Sequence, residues 1–484
     1  MAGLAFTPSL LRLAQHGERL VYRIAGLPVA IGVIWASWGG SESSPLDSAF
    51  AAQFWHLQGF GDWLELAAAM LVWPIALAAA SIWFTARNGP AIARREGRGV
   101  ARQFADQLRL YFSAGVLAPW YYVFSLHEDS SRAHARSFLQ RFQTKTCLFL
   151  LLKERKGSPL NDKARFAEYC SARGIRCVPT MVELNGPPVE SGLPDCDLFV
   201  KPRTGRGGRG AERWDRVDPF SYQSGSERLP AHALLDRLVE RSRLRPLLIQ
   251  PRLRPHPDLT GITAGALPTA RIVTCLDERG EPEVMAAMFR MSVGQNATVD
   301  NIHAGGIAAA PDIRSGRLSR SSDLGMNARL GWLSVHPDTG ERIEGRVLPH
   351  WKATKRLAIR AHRSFADRVV IGWDIGILDE GPIVIEGNGN PDMDIIQRFL
   401  PVGLRNHRFG ELIAFHLQQR LPSRVRAFPE AKSAPTYVLD EADGRHPHQR
   451  QANAGRAGLG PQLPPQQPRS RRVRCPDPQH ERVS

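Results

Sequence analysis

Two apolar runs near the amino terminus dominate the pattern of hydrophobic and polar positions. Residues 24–41 and 66–84 carry no charge, and a helix needs about 20 such residues to cross a bilayer. The pattern therefore predicts a transmembrane helical hairpin that anchors the chain through residues 1–90. Two buried helices of a soluble domain are the alternative, because both runs are near the lower length limit.

The charges that flank these runs predict an orientation. Residues 42–65 contain four acidic residues and no Lys or Arg. Arginines precede the first run and follow the second: Arg12, Arg19, Arg23, Arg87, Arg94, Arg95, Arg98 and Arg102. By the positive-inside rule, both ends of the hairpin lie in the cytoplasm and the loop lies outside. This places the protein in the inner membrane, with the rest of the chain in the cytoplasm.

Beyond the hairpin, the pattern predicts mixed α and β structure. Residues 91–160 form a basic and aromatic connecting region, whose aromatic residues we expect to join the core. Residues 161–420 alternate strand and helix signals, which is typical of an α/β layered domain. The predicted elements are strands at 146–152, 175–181 and 197–201, and a helix at 161–173 that begins at Asn161 or Asp162.

Composition narrows the possible partners. Lys and Arg outnumber Asp and Glu by 63 to 47, which gives a formal charge of +16. Only eight of the 63 are Lys, so the charge reflects an arginine bias along the whole chain. No DNA-binding motif occurs, and we expect no nucleic-acid partner. The six cysteines show no CxxC or zinc-site spacing, which indicates a reducing compartment. Residues 421–484 are rich in Pro, Gln and Arg and predict a disordered tail.

A glycine-rich stretch follows the predicted strand at 197–201. Gly205, Gly207 and Gly210 match G-x-G-x-x-G, but the residues after them read as a strand and not as the helix of a dinucleotide fold. A strand ending at Lys201, a loop that also contains Gly208 and a returning strand describe a hairpin flap over phosphates. Lys201 would supply a point charge. A flexible basic surface loop is the alternative reading.

Two further positions carry weaker signals. Gln250 lies where a strand at 247–253 meets a loop, a position from which an amide side chain can read an adenine edge. Arg271 lies in an alternating strand at 268–274 and points away from the side of Ile272. It is either solvated or directed into a phosphate site.

The most specific signal is a hairpin over residues 369–390. Two apolar runs flank a turn at residues 379–381, and a turn centred on Glu380 pairs Asp374 with Glu386. Asn388 shares their face, because side chains alternate with period two. Facing carboxylates repel unless a cation lies between them, and an oxygen-only ligand set suits Mg²⁺, with Mn²⁺ as the alternative ion. A hairpin with solvent-facing carboxylates is the competing reading.

These segments, in this order, resemble the sugar-transfer-associated ATP-grasp family over residues 119–417, and more broadly glutamate-ligase-like ATP-grasp enzymes. The matching motifs are NDK at 161–163, DLFVKP at 197–202, LLIQPRL at 247–253, TARIVT at 269–274, NIHAGGIAA at 301–309, IGWDIGI at 371–377 and IEGN at 385–388. The resemblance implies an α+β ATP-grasp fold, in which two α/β lobes clamp Mg-ATP, with a catalytic domain at 161–420.

The resemblance also implies roles for individual residues. Lys163, Lys201 and the glycine flap would bind nucleotide, with adenine near Gln250. Arg271 would contact phosphate or an acyl-phosphate intermediate. The metal would be held by Asp374, Glu386 and Asn388.

The implied activity is ATP-dependent ligation of a carboxylate to an amine or another nucleophile. The substrates would be small molecules or glycan-linked groups, and the family name points to cell-surface saccharide assembly by association only. Two alternatives stay open: an ATP-dependent phosphotransferase and a non-enzymatic nucleotide-binding adaptor at the membrane. The sequence does not predict the oligomeric state.

Overall fold

The structure of the chain is a computed structural model. The structure describes residues 20, 22–32, 45–57, 59–152, 157–186, 192–205, 208–294, 300, 302, 305–326 and 330–420. The predicted tail at 421–484 and Gly207 lie outside the described residues, as does the second half of the first apolar run.

Helices and strands both contribute to the described part of the chain, as the α+β prediction requires. The helices are α1 (Pro45–Phe54), α2 (Phe60–Glu96), α3 (Val100–Ala114), α4 (Ala118–Val123), α5 (Asp129–Ala133), α6 (Arg141–Leu150), α7 (Lys163–Ser171), α8 (Ala231–Leu244), α9 (Trp351–Ser364), α10 (Met393–Gln397) and α11 (Arg408–Arg420). The strands are β1 (Val182–Leu184), β2 (Leu198–Pro202), β3 (Glu212–Asp218), β4 (Ser221–Ser224), β5 (Glu227–Pro230), β6 (Leu247–Pro251), β7 (Thr269–Leu276), β8 (Pro282–Met291), β9 (Ile307–Pro311), β10 (Leu318–Ser322), β11 (Val370–Leu378) and β12 (Gly381–Asn388).

The strands form two six-stranded sheets. The first has the order β1-β6-β2-β3-β4-β5 and the second β10-β9-β8-β7-β11-β12, and neighbouring strands are antiparallel in both. Helix α8 covers one face of the first sheet through Leu234 and Leu238, which pack with Trp214. The segment after β6 leads to the second sheet, where the His256 amide donates to the carbonyl of Ile377.

The second sheet is covered on both faces. Helices α7 and α9 contribute Phe166 and Ala358 to one core, together with Trp373 of β11. Helices α6 and α11 contribute Leu148 and Leu412 to the core on the other face. Every residue of β11 is buried as a result, which explains why this strand reads as a nearly continuous apolar run.

Two predicted strands are wrong. Residues 146–152 lie mainly in helix α6, which begins with a reciprocal capping box between Gln140 and Gln143. A short apolar run does not distinguish a buried strand from a buried helix, and the polar cap upstream decided the outcome. In the predicted strand at 175–181, only Cys177 forms an isolated bridge, to Val384. The predicted helix at 161–173 is confirmed, with Asp162 as its N-cap accepting from two backbone amides.

The amino-terminal segments pack against the rest of the chain. Residues 22–32 are helical, and α1 contacts α6 and α11. The amide of Gln143 donates to Asp47 over 2.9 Å, and Arg405 forms an ion pair with the same carboxylate. The predicted hairpin placed Asp47 in a loop across the membrane from the catalytic domain. The structure does not confirm that placement, because the helix that contains Asp47 contacts the rest of the chain directly. Within the described residues, α2 is long and apolar enough to cross a membrane.

Candidate active site

The two carboxylates of the β11–β12 hairpin lie opposite each other. Asp374 pairs with Glu386 in the strand register, and Gly372 pairs with Asn388. The side chain of Asp374 is buried, and that of Glu386 is partly exposed. A β-bulge beside Asp374 shifts the register by one residue, so the carboxylates pair although the turn itself is not centred on Glu380.

Asp374 is held by two buried arginines. Arg271, its partner on the adjacent strand β7, donates through both Nε and Nη2, the latter over 2.9 Å. Arg290 of β8 places its Nη2 atom 3.0 Å from the same carboxylate. Burial alone would raise the pKa of Asp374, but the two arginines outweigh it and hold that pKa well below its usual range. Arg271 therefore points into the site and is not solvated.

The negative charge of Glu386 is neutralised less completely by nearby cations than that of Asp374. Burial raises the pKa of its carboxyl, the negative charge of Asp374 raises it further, and Lys201 and Arg271 only partly offset the rise. A buried carboxylate with a raised pKa is stabilised in its ionised form by any additional cation. Asn388 follows two residues later, and its Oδ1 accepts from the Asn390 amide over 3.0 Å. Glu386 and Asn388 therefore offer oxygen ligands, and the negative charge of Glu386 is only partly neutralised by its neighbours.

Two lysines lie near these carboxylates. Lys201 lies at the end of β2 with 7% of its surface exposed. Burial lowers the pKa of Lys201 to about 8, against the opposing effects of Glu386 and Asp374. Lys163 begins α7, and burial also lowers its pKa while Glu386 opposes that change. Both predicted lysines thus interact electrostatically with Glu386, and Lys201 also does so with Asp374.

The glycine loop connects β2 to β3 as an antiparallel hairpin, as predicted. Lys163 Nζ donates to the carbonyl of Gly205 over 2.9 Å. Gly205, Gly208 and Gly210 have φ values of 129°, 71° and 75°, a region that side chains other than glycine rarely adopt. The loop therefore depends on glycine for its path past Lys163.

Gln250 lies one residue before the end of β6. Its side chain is buried and donates to the carbonyl of Val178 over 3.4 Å. That bond ties β6 to the segment before β1, so the Gln250 amide has a structural partner in this conformation.

A sequence comparison bears directly on this arrangement. The profile of the sugar-transfer-associated ATP-grasp family matches residues 153–408, more than half of the chain. The chain belongs to this ATP-grasp family. Among curated proteins, none matches the sequence.

Solved structures similar to this ATP-grasp chain include ligases and synthetases. An L-amino acid ligase from Bacillus licheniformis shares 11% identity at a TM-score of 0.33, covering 58% of this chain and 53% of that one. D-alanyl-alanine synthetase A from Vibrio cholerae shares 13% identity at a TM-score of 0.32, covering 54% and 65%. An N5-carboxyaminoimidazole synthase from Aspergillus clavatus, in complex with ADP and 5-aminoimidazole ribonucleotide, shares 13% identity at a TM-score of 0.28, covering 53% and 52%. The chain spans between half and two thirds of the length of these proteins.

The candidate site contains two charged residues that the sequence analysis did not single out, Arg290 and Asp300. Arg290 lies 3.4 Å from Asp300 as well as contacting Asp374, and its Nε donates to Thr269 over 3.0 Å. Asp300 is buried, which raises the pKa of its carboxyl. The available signal was one arginine inside the apolar run of β8, because a buried charge requires a partner.

Proposed function

We propose that this chain is an ATP- and Mg²⁺-dependent ligase that activates a carboxylate as an acyl phosphate for attack by an amine or another nucleophile. The observation that carries the proposal is the pairing of Glu386 with Asp374 in the second sheet, with Lys201 of the first sheet and Lys163 of helix α7 close enough to Glu386 to interact with its charge. Carboxylates and lysines grouped in this way fit a nucleotide that binds together with a metal ion.

The hairpin residues fit a magnesium ion. Asp374 is already neutralised by Arg271 and Arg290, whereas the raised pKa of Glu386 marks a carboxylate that an added cation would stabilise. Glu386, Asn388 and Asp374 would hold the ion through oxygen atoms, as hard divalent cations require. Mn²⁺ accepts the same ligands. The bound ion would neutralise charge on the phosphates during transfer.

The other residues would bind and orient the reactants. Lys201 and Lys163 would pair with phosphate oxygens, and the amides of the loop containing Gly205, Gly208 and Gly210 would close over them. A substrate carboxylate oxygen attacks the γ-phosphorus and ADP leaves. The nucleophile then attacks the acyl carbon and inorganic phosphate leaves. Arg271 would stabilise charge on the transferred group. Adenine would lie near Gln250, close to the segment that leads from the first sheet to the second.

Location and substrate complete the proposal. The catalytic body would lie on the cytoplasmic side of the inner membrane, where ATP is available. The substrates would be a carboxylate and an amine on small molecules or glycan-linked groups, and the family description supports a link to polysaccharide biosynthesis. The family and its ligase neighbours favour ligation over phosphoryl transfer.

Product analysis tests the proposal. The full-length protein is incubated with Mg-ATP and pools of carboxylates and amines, and ADP, free phosphate and new masses are followed. Ligation predicts equal amounts of ADP, free phosphate and condensed product. A phosphorylated product without free phosphate would indicate a phosphotransferase, and nucleotide binding without any turnover would indicate an adaptor.

A further inference from the structure

We propose that helix α2 lies in the plane of one leaflet of an anionic membrane and does not cross it. The chain would then be a monotopic membrane protein, attached along the length of this helix. The proposal rests on α2 and its neighbours and is independent of the ligase activity.

One face of α2 is an exposed apolar stripe. We define the stripe as Phe60, Leu64, Leu71, Ile75 and Ile82, whose exposed fractions run from 55% to 80%. Their spacings of four and seven residues place them in one line along a helix. Only 17% of the most apolar window of α2 is buried. Trp63 and Trp83, both about 60% exposed, flank the stripe as tryptophans do at membrane interfaces.

The opposite face of α2 is covered by protein over nearly its whole length. Near its beginning, Leu66 packs in one cluster with Phe142 of α6. In its middle, Trp73 stacks on Tyr111 with 5.7 Å between ring centroids. Near its end, Ile92 is buried with Tyr121. Both ends of α2 therefore rest on the same body.

These contacts argue against a crossing helix. Helix α3 runs antiparallel along α2: Gln103 donates to the Gly89 carbonyl over 3.0 Å and Gln107 donates to Thr85 over 2.6 Å. Arg109 of α3 is exposed and lies between the contacts made by Gln107 and Tyr111. If α2 crossed the bilayer, this arginine would be drawn to the depth of the apolar run, where a charge is strongly disfavoured. A helix in the membrane plane keeps Arg109 in water or among lipid headgroups.

Charge identifies the partner surface as anionic lipid. The last turns of α2 and the exposed side of α3 carry the exposed residues Arg87, Arg94, Arg102 and Arg109. Apolar stripes beside arginines are typical of helices that insert into the headgroup region of anionic leaflets. A second protein copy would bury the stripe without using these charges.

Side-specific labelling of the full chain distinguishes the two orientations. Gly59 and Gly99 flank α2, and an added Cβ would contact nothing within 4 Å at either position. The variants Gly59→Cys and Gly99→Cys are prepared in right-side-out and in inside-out membrane vesicles. A membrane-impermeant maleimide is added to each preparation, and the labelled cysteines are identified by peptide mass spectrometry. The native, partly exposed Cys196 marks the side of the body. We expect positions 59 and 99 to react from the Cys196 side. Reaction of the two positions from opposite sides would overturn the proposal.

Vesicle flotation tests the stripe itself. The full chain should bind phosphatidylcholine vesicles containing phosphatidylglycerol at least ten-fold more strongly than vesicles without it. Leu71→Glu and Ile75→Glu should each weaken binding at least ten-fold with unchanged thermal melting. Leu244→Glu, at a 94% exposed position on α8, is the matched control and should bind as the wild type does. Vesicle binding by the stripe variants equal to that of the wild type would overturn the proposal. It would also be overturned if the wild type bound no vesicles and formed a dimer that the stripe variants converted to monomers.

Discussion

Arg271 and Asp374 face each other across β7 and β11 and share two hydrogen bonds, one of them 2.9 Å long. Together with Arg290, this pairing neutralises one carboxylate of the facing pair and leaves Glu386 as the carboxylate with unbalanced charge. The site is thus asymmetric before any ligand binds. In the proposed enzyme, Glu386 would be the principal metal ligand and Asp374 the fixed anchor of the arginines.

Removing the proposed metal ligands should abolish turnover and spare the fold. Glu386→Gln and Asn388→Ala should lose Mg²⁺-dependent activity. Glu386→Gln should melt at the same temperature as the wild type or higher without ligand, because it removes an unfavourable buried charge. The measurements are ADP release with varied Mg²⁺ and thermal melting in EDTA. Loss of stability in EDTA would assign these residues a structural role.

Arg290 contacts both Asp300 and Asp374, and the effects of substituting Arg290 and Asp300 on the free energy of unfolding should therefore be strongly coupled. Arg290→Met leaves Asp300 buried without its cation and should cost about 3–5 kcal/mol in the free energy of unfolding. Asp300→Asn in the same chain should recover part of that loss, since it removes the stranded charge. Urea denaturation of the two single variants and the double variant gives the coupling energy. Strictly additive costs would contradict the network.

Lys201 should make nucleotide affinity and stability depend on pH in opposite directions. Its pKa of about 8 in the folded chain lies below the ordinary value of 10.5. Phosphate binding requires the ammonium form, so ATP affinity should fall as pH rises past 8. The unfolded chain keeps this proton up to about pH 10.5, so stability without ligand should rise between pH 8 and 10.5. Lys201→Met should remove both trends, as followed by calorimetry and by denaturation across this range.

The glycine loop should matter more for turnover than for stability. Gly208→Val forces a branched side chain into positive φ beside the proposed phosphate site, and kcat should fall at least ten-fold. Gly225→Val is the control, because Gly225 also has positive φ, at 59°, but lies in the distant β4–β5 turn. Steady-state kinetics and thermal melting of both variants separate the effects. An equal fall in kcat in Gly208→Val and Gly225→Val would show that the glycine loop has no specific role in turnover.

The hairpin could be predicted from sequence because period-two alternation and a short turn leave few alternatives, but residues 375–378 pair one position away from the register of a turn centred on Glu380. The pairing of Asp374 with Glu386 nevertheless depends on a bulge that the sequence does not mark. The Asp162 cap was also predictable, because capping is local chemistry. The helix at Arg141–Leu150 was harder to predict, because a short apolar run fits both a buried strand and a buried helix, and its one local signal was the capping box of Gln140 and Gln143.

The contacts of the charged residues were the least predictable part of the site. Arg271 could be placed on a strand, but its partner Asp374 lies 103 residues away. Asp300 follows β8 in the chain, and nothing in the sequence indicates that its carboxylate contacts Arg290. The predicted membrane hairpin is not confirmed, and the contact that differs from it is of the same long-range kind: hydropathy describes α2 but not the ion pair between Asp47 and Arg405.

Calorimetric titration of Mg-ATP into the full-length protein tests the central claim most directly. Lys201→Ala should weaken binding about 10- to 150-fold, the loss of one charge-assisted phosphate contact. Lys352→Ala, at an exposed position of α9, should bind as the wild type does. Equal affinity in the wild type and Lys201→Ala would contradict a nucleotide site between Lys201 and the carboxylate pair of Asp374 and Glu386.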